Sequence, residues 1–116
     1  MIVGDYVRTK KGISRITTID NEQIRKIIYT DTKEVFEYYT DKQGNEIKDY
    51  WKSYSSNIID LIEVGDYVNG CLVLHKENNE LVCGLLLRYK EENIQNVVTK
   101  EQFEAMKYEI KWNIGI

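Results

Sequence analysis

The sequence predicts a mainly β protein made of two small β barrels in tandem, each ending in a short helix. Three observations carry that expectation. The pentapeptide Val3-Gly4-Asp5-Tyr6-Val7 recurs as Val64-Gly65-Asp66-Tyr67-Val68 in a chain of 116 residues, and internal repetition is the feature that most constrains an architecture. Short strand-prone runs alternate with turn signals every ~8–12 residues, the pattern of small barrels. Each half also closes on helix-capping chemistry, Ser55-Ser56-Asn57 in the first and Thr99-Lys100-Glu101-Gln102 in the second. The halves are residues 1–60 and 61–116. Units this small are marginal alone, so the two are expected to pack on each other.

Gly-Asp suits a tight entry turn, because glycine reaches unusual backbone angles and aspartate bonds neighbouring amides. The Tyr-Val that follows is strand-prone. In the first half, Tyr6 to Lys10, Ile13 to Ile19, Ile24 to Thr30, Glu34 to Thr40 and Glu46 to Lys52 read as strands. Between them lie Lys11-Gly12, Asp20-Asn21-Glu22-Gln23, Asp31-Thr32-Lys33 and the loop Asp41 to Asn45, which carries Gly44. One helical turn is expected over Ile58 to Leu61. In the second half, Val68 to Lys76 and Leu81 to Tyr89 flank Glu77 to Glu80 as one long hairpin. Asn93 to Val98 is a further strand, and Thr99 with Gln102 forms a capping box ahead of a helix from Lys100 to about Met106. Tyr108 to Trp112 closes the barrel.

A Gly-Asp-x-Val entry into the first strand is similar to the opening of SH3-like small barrels, including KOW-type modules. The segment Ile58 to Gly70, followed by Val97 to Glu104, resembles a group of small proteins carried by phages and prophages of low-GC Gram-positive bacteria. The Gly-Asp-Tyr-Val opening at Gly4 fits the same group. The resemblance implies a mobile-element protein with a host-takeover or anti-defence role, inhibition of a CRISPR effector being one version. It implies no catalytic residues.

Two surfaces are candidates for partner binding, a host protein or ribonucleoprotein complex. One is an aromatic group with Tyr38, Tyr50, Trp51 and Tyr54 at its centre, since exposed Tyr and Trp give contact area at low entropic cost. Cross-strand pairing that only stabilises the sheet is the plainer reading of the same residues. The other is the second hairpin, which is apolar on both faces. A symmetric turn puts Leu74 opposite Cys83 and Cys71 opposite Leu86. One face then covers the core and the other, with Val73 and Leu86, is left for an interface or a homodimer.

Arg8, Lys10, Lys11 and Arg15 are the densest basic group. Residues 1–30 carry six basic and three acidic residues against a net charge of −3 for the whole chain. Beside exposed aromatics such a group could hold a nucleic-acid strand, as KOW-like modules do. Lysine on a strand edge also serves simply to prevent sheet-to-sheet aggregation. The same register separates Cys71 and Cys83 by roughly 10 Å, too far for a disulfide and for a shared metal with His75, the one histidine. No cofactor, metal or catalytic constellation is nominated. Two cysteines do not make a disulfide scaffold, and no segment reads as a signal peptide or a membrane span. The expectation is a cytoplasmic, non-enzymatic protein.

Overall fold

The computed structural model describes residues 1–22, 25–40, 43, 51–84 and 87–106. Ten strands form two five-stranded antiparallel sheets. The first holds β1 (Tyr6–Thr9), β2 (Gly12–Asn21), β3 (Arg25–Thr30), β4 (Val35–Tyr39) and β5 (Trp51–Ser55), in the spatial order β4-β3-β2-β1-β5. The second holds β6 (Tyr67–Val68), β7 (Cys71–Glu77), β8 (Glu80–Cys83), β9 (Leu87–Tyr89) and β10 (Val97–Val98), ordered β10-β6-β7-β8-β9. Read from opposite ends, the two orders are the same. In both sheets the first strand lies between the second and the last, so each meander curls back on its own beginning.

The repeat is structural as well as textual. In the first half the Gly4 amide donates to the Ile16 carbonyl at 2.9 Å and the Ile16 amide to the Asp5 carbonyl at 2.8 Å. In the second, the Gly65 amide donates to the Val73 carbonyl at 3.0 Å and the Val73 amide to the Asp66 carbonyl at 2.8 Å. Each aspartate carboxylate accepts the amide three residues upstream, Ile2 for Asp5 and Glu63 for Asp66. The turn requires φ of +97° at Gly4 and +98° at Gly65, a region that disfavours any side chain.

The ends of the halves differ. Asn57 caps a single 3-10 turn, Ile58–Asp60, by accepting the Ile59 amide, so the first half ends in one turn rather than a helix. The second reaches α1, residues 100–106. Its capping box is complete: the Gln102 amide donates to Thr99 Oγ1 at 3.2 Å and the Thr99 amide to Gln102 Oε1 at 2.9 Å.

Two apolar clusters fill the halves. Val7, Ile16, Ile28, Phe36, Tyr38 and Trp51 form the first, and Ile59, Ile62, Val68, Val73, Leu81 and Cys83 the second. Ile13 and Ile58 from the first half pack against the second cluster, so the two halves meet over apolar surface.

Asn93 to Val98 shortens to β10 behind a 3-10 turn at Glu91–Asn93, and three further expectations for the second half are corrected. Val68 to Lys76 is not one strand: Asn69 (φ +51°) and Gly70 (φ +81°) form a two-residue turn between β6 and β7, with Val68 opposite Cys71. Asn-Gly in this conformation matches the twist of the flanking strands. Leu81 to Tyr89 is likewise broken, at Gly84 (φ +64°), and β9 folds back on β8. The third correction is the register. Glu77 pairs with Glu80 and His75 with Val82, as a symmetric turn requires, but a bulge between Val73 and His75 puts Val73, not Leu74, opposite Cys83. Tyr108 to Trp112, the loop Asp41 to Asn45 and most of the Glu46 to Lys52 strand lie outside the described residues, apart from Gln43, Trp51 and Lys52.

Candidate interaction surfaces and the buried ionic junction

A buried ionic site lies where the halves meet. Arg8 sits on β1 and is 0% exposed. Its guanidinium grips the Asp66 carboxylate through two nitrogens, Nη2 donating to Oδ1 at 2.9 Å and Nη1 to Oδ2. Nη1 also donates to the Leu61 carbonyl at 3.0 Å and Nη2 to Glu101 Oε2 at 2.7 Å, while Nε faces Glu63 Oε2 at 3.4 Å. Asp66 accepts the backbone amides of Glu63 and Lys100 as well, at 2.7 and 2.9 Å. One carboxylate thus shapes the second entry turn, meets the start of α1 and neutralises an arginine from the other half. Lys52 and Lys100 close the outer side through Glu63, at 2.8 and 2.7 Å.

Electrostatics follow from that geometry. Burial alone pushes the Asp66 carboxyl up, but the Arg8 guanidinium and the two backbone amides more than offset it, so its pKa is lowered. Burial likewise opposes charge on Arg8, and Asp66, Glu101 and Glu63 reverse it, leaving the guanidinium more firmly protonated. Glu63 ends at about 2, because Lys100, Lys52 and Arg8 outweigh the burial that would raise it. In a buried pair of this kind, losing one partner strands the other charge.

This removes Arg8 from the basic nucleic-acid group. A strand position cannot say whether its side chain faces water or another half of the molecule, and here the second half covers it. Lys10, Lys11 and Arg15 are exposed. Arg15 lies 5.8 Å over the Tyr6 ring, apart from the Arg8 cluster.

The aromatic surface is also reduced. Tyr38 is 2% and Trp51 4% exposed, packed edge to face at 6.4 Å within the first core. Tyr54 is exposed and leans edge-on against Trp51 at 5.2 Å. Tyr50 lies outside the described residues. These contacts favour the sheet-stabilising reading of the group, with Tyr54 and Tyr39 as its solvent-facing members.

On the second sheet the bulge decides the surface. Val73 is buried and lost to any partner, and Leu86 lies outside the described residues. Leu74, expected opposite Cys83, instead stands 51% exposed, and Leu72 beside it is 39% exposed. His75, Glu77 and Arg88 border them, with His75 Nε2 and Glu77 Oε2 2.8 Å apart and Arg88 Nη2 donating to Glu77 Oε1 at 3.0 Å. The shifted register also places both cysteines on the inner face, two residues rather than three out of step. The expected separation therefore fails. Both thiols are free, and burial, with Cys71 as a neighbour, raises Cys83 to about 11.

No protein-family model, curated protein or solved structure matches the chain. Among the described residues no group of His, Cys, Asp and Glu is placed to hold a metal ion, and no helix is long and apolar enough to cross a membrane. Sequence reasoning missed the Arg8–Asp66 junction. The one available signal was asymmetry within the repeat, where Arg8 corresponds to Asn69 although the five residues before each are the same.

Proposed function

We propose that the chain is a non-enzymatic interaction protein, a pair of SH3-like modules that binds a host protein or ribonucleoprotein complex and inhibits or redirects it. The observation that supports this reading is the exposed Leu72 and Leu74 on the outer side of the second sheet, bordered by His75, Glu77 and Arg88. An apolar centre with a charged rim is the anatomy of a protein interface. A stable complex covers about 800 Å² on each partner, a tenth of the 8004 Å² surface of the described chain. The resemblance to phage and prophage proteins supports an anti-defence target such as a CRISPR effector. A homodimer through the same face is the competing structural reading, and a nucleic-acid module is weakened by the burial of Arg8.

The test is site-specific crosslinking. A photo-reactive residue at position 74 is expected to capture one defined host protein during expression, and Leu74→Asp to abolish its co-purification while the fold persists. Light scattering that shows a dimer dissociated by Leu74→Asp would transfer the face to self-association. Capture of nothing by a monomer would end the proposal.

A further inference from the structure

A cleft of about 260 Å³, separate from the Arg8–Asp66 cluster, is lined by residues of both halves. Its lining includes Ile13, Ile58, Ile94 and Val97, with Tyr6, Arg15, Asp31, Gln95 and Asn96 around them. Arg15 is the informative member. The chain has four arginines. Arg8, Arg25 and Arg88 each pair with carboxylates, at Asp66, Glu22 and Glu77 respectively. Arg15 makes no ion pair among the described residues. Its Nε reaches the Gly4 carbonyl at 3.4 Å, and its guanidinium rests against Tyr6. Asp31 is close by, but one of its oxygens is occupied by the Arg15 backbone amide at 2.9 Å rather than by the guanidinium.

The wall opposite is an extended segment. Asn69 Oδ1 accepts the backbone amides of Gln95 and Asn96, and the Asn69 amide donates to the Asn96 carbonyl, which pins that segment against the β6–β7 turn. Among the described residues the side-chain amides of Gln95 and Asn96 make no hydrogen bond, which leaves them to pair with a ligand. We propose that this cleft binds the free C terminus of a partner polypeptide whose last side chain is apolar. The carboxylate meets the Arg15 guanidinium, the apolar side chain lies on the isoleucine–valine surface, and the preceding peptide group pairs with the Gln95 and Asn96 amides. Recognition of a terminal carboxylate by a planar guanidinium is charge-assisted and directional. The volume falls just below the range for ligand pockets, room for one terminal residue rather than a long insert.

This site is separate from the Leu72–Leu74 face and does not depend on it. The test uses the whole chain and two fluorescent pentapeptides ending in leucine, one with a free carboxylate and one amidated. The free acid is expected to bind saturably at micromolar to low-millimolar concentration, and the amide roughly tenfold or more weakly, the worth of one charge-assisted hydrogen bond. Arg15→Gln should bring both peptides to the amide's level, and Arg15→Lys should restore part of the difference. The unfolding midpoint should not move, since Arg15 is exposed. Asn96→Ala should weaken the acid and the amide alike. Equal binding of the two peptides, no saturable binding, or displacement by acetate alone as effective as by unlabelled peptide would overturn the proposal. So would a single-stranded oligonucleotide that competes better than the peptide. Loss of host-protein capture at position 74 leaves these readouts unchanged, so the two proposals fail separately.

Discussion

Asp5 and Asp66 are the same residue of the same repeated turn, yet they carry different loads. Each accepts the amide three positions upstream, and only Asp66 also holds Arg8 and the Lys100 amide. Asp5→Ala should cost ~1 kcal/mol, the worth of one turn hydrogen bond. Asp66→Ala should cost ~3–5 kcal/mol, because it takes from the buried guanidinium its one fully buried counter-ion and leaves only the part-exposed Glu101 and Glu63 beside it. Urea unfolding of the two variants makes the comparison within one scaffold, and similar midpoints would show that Arg8 is not held by Asp66. The cysteines give a second residue-scale expectation. Cys71 is half-buried, whereas Cys83 is fully buried with a thiol pushed to about 11. Since the thiolate is the reacting form, an aromatic disulfide reagent at pH 8 should modify Cys71 first and reach Cys83 only at the rate of opening. Two equally fast thiols would contradict the inward placement of Cys83.

At the scale of elements, the β1–β2 turn and α1 have to be built together. Gly12 has φ of +122°, and a Cβ placed there would lie 2.7 Å from the Gln102 side chain. Gln102 is itself engaged in the capping box. Gly12→Ala therefore combines backbone strain with displacement of a cap, and should cost about 1–3 kcal/mol. Thr99→Ala removes only the cap and should cost about 1 kcal/mol. If the first exceeds the second in thermal unfolding, the turn and the helix are coupled across the halves; if the two are equal, they are not. The bulge on β7 belongs to this scale too. A regular ladder from Glu77–Glu80 would put Leu74 opposite Cys83 and turn Val73 outward, but the extra residue reverses both. Residue type does not announce such a bulge, because Val73 and Leu74 suit either face.

For the whole molecule, the junction makes each half depend on the other. Residues 1–60 expressed alone would expose Arg8 and the apolar contacts of Ile13 and Ile58, and are expected not to fold; a cooperative transition of that fragment would refute this. The junction also sets the acid limit. Glu63 falls from an ordinary 4.5 to about 2, and Asp66 and Glu101 are lowered as well. A carboxylate with a depressed folded pKa contributes stability that is complete above its unfolded value and is lost as pH falls through its folded value. Stability should accordingly be level near neutrality and decline from about pH 4.5 towards 2. Arg8→Met should flatten that decline, and an unchanged slope in acid titration would place the dependence elsewhere.

The local rules of this chain are legible without coordinates. Gly-Asp twice announces the paired entry turns, Asn57 and Thr99 with Gln102 announce their caps, and the spacing of turn residues announces short antiparallel strands. All of these act over three or four residues, so neighbouring chemistry suffices to specify them. What the tertiary structure alone decided is which faces are covered. Arg8 reads as a surface cation and Trp51 and Tyr38 as a platform until the packing of sheets places them inside, and one bulge chooses which leucines meet solvent. Burial is a property of the far side of the molecule, and nothing within a few residues of these positions encodes it.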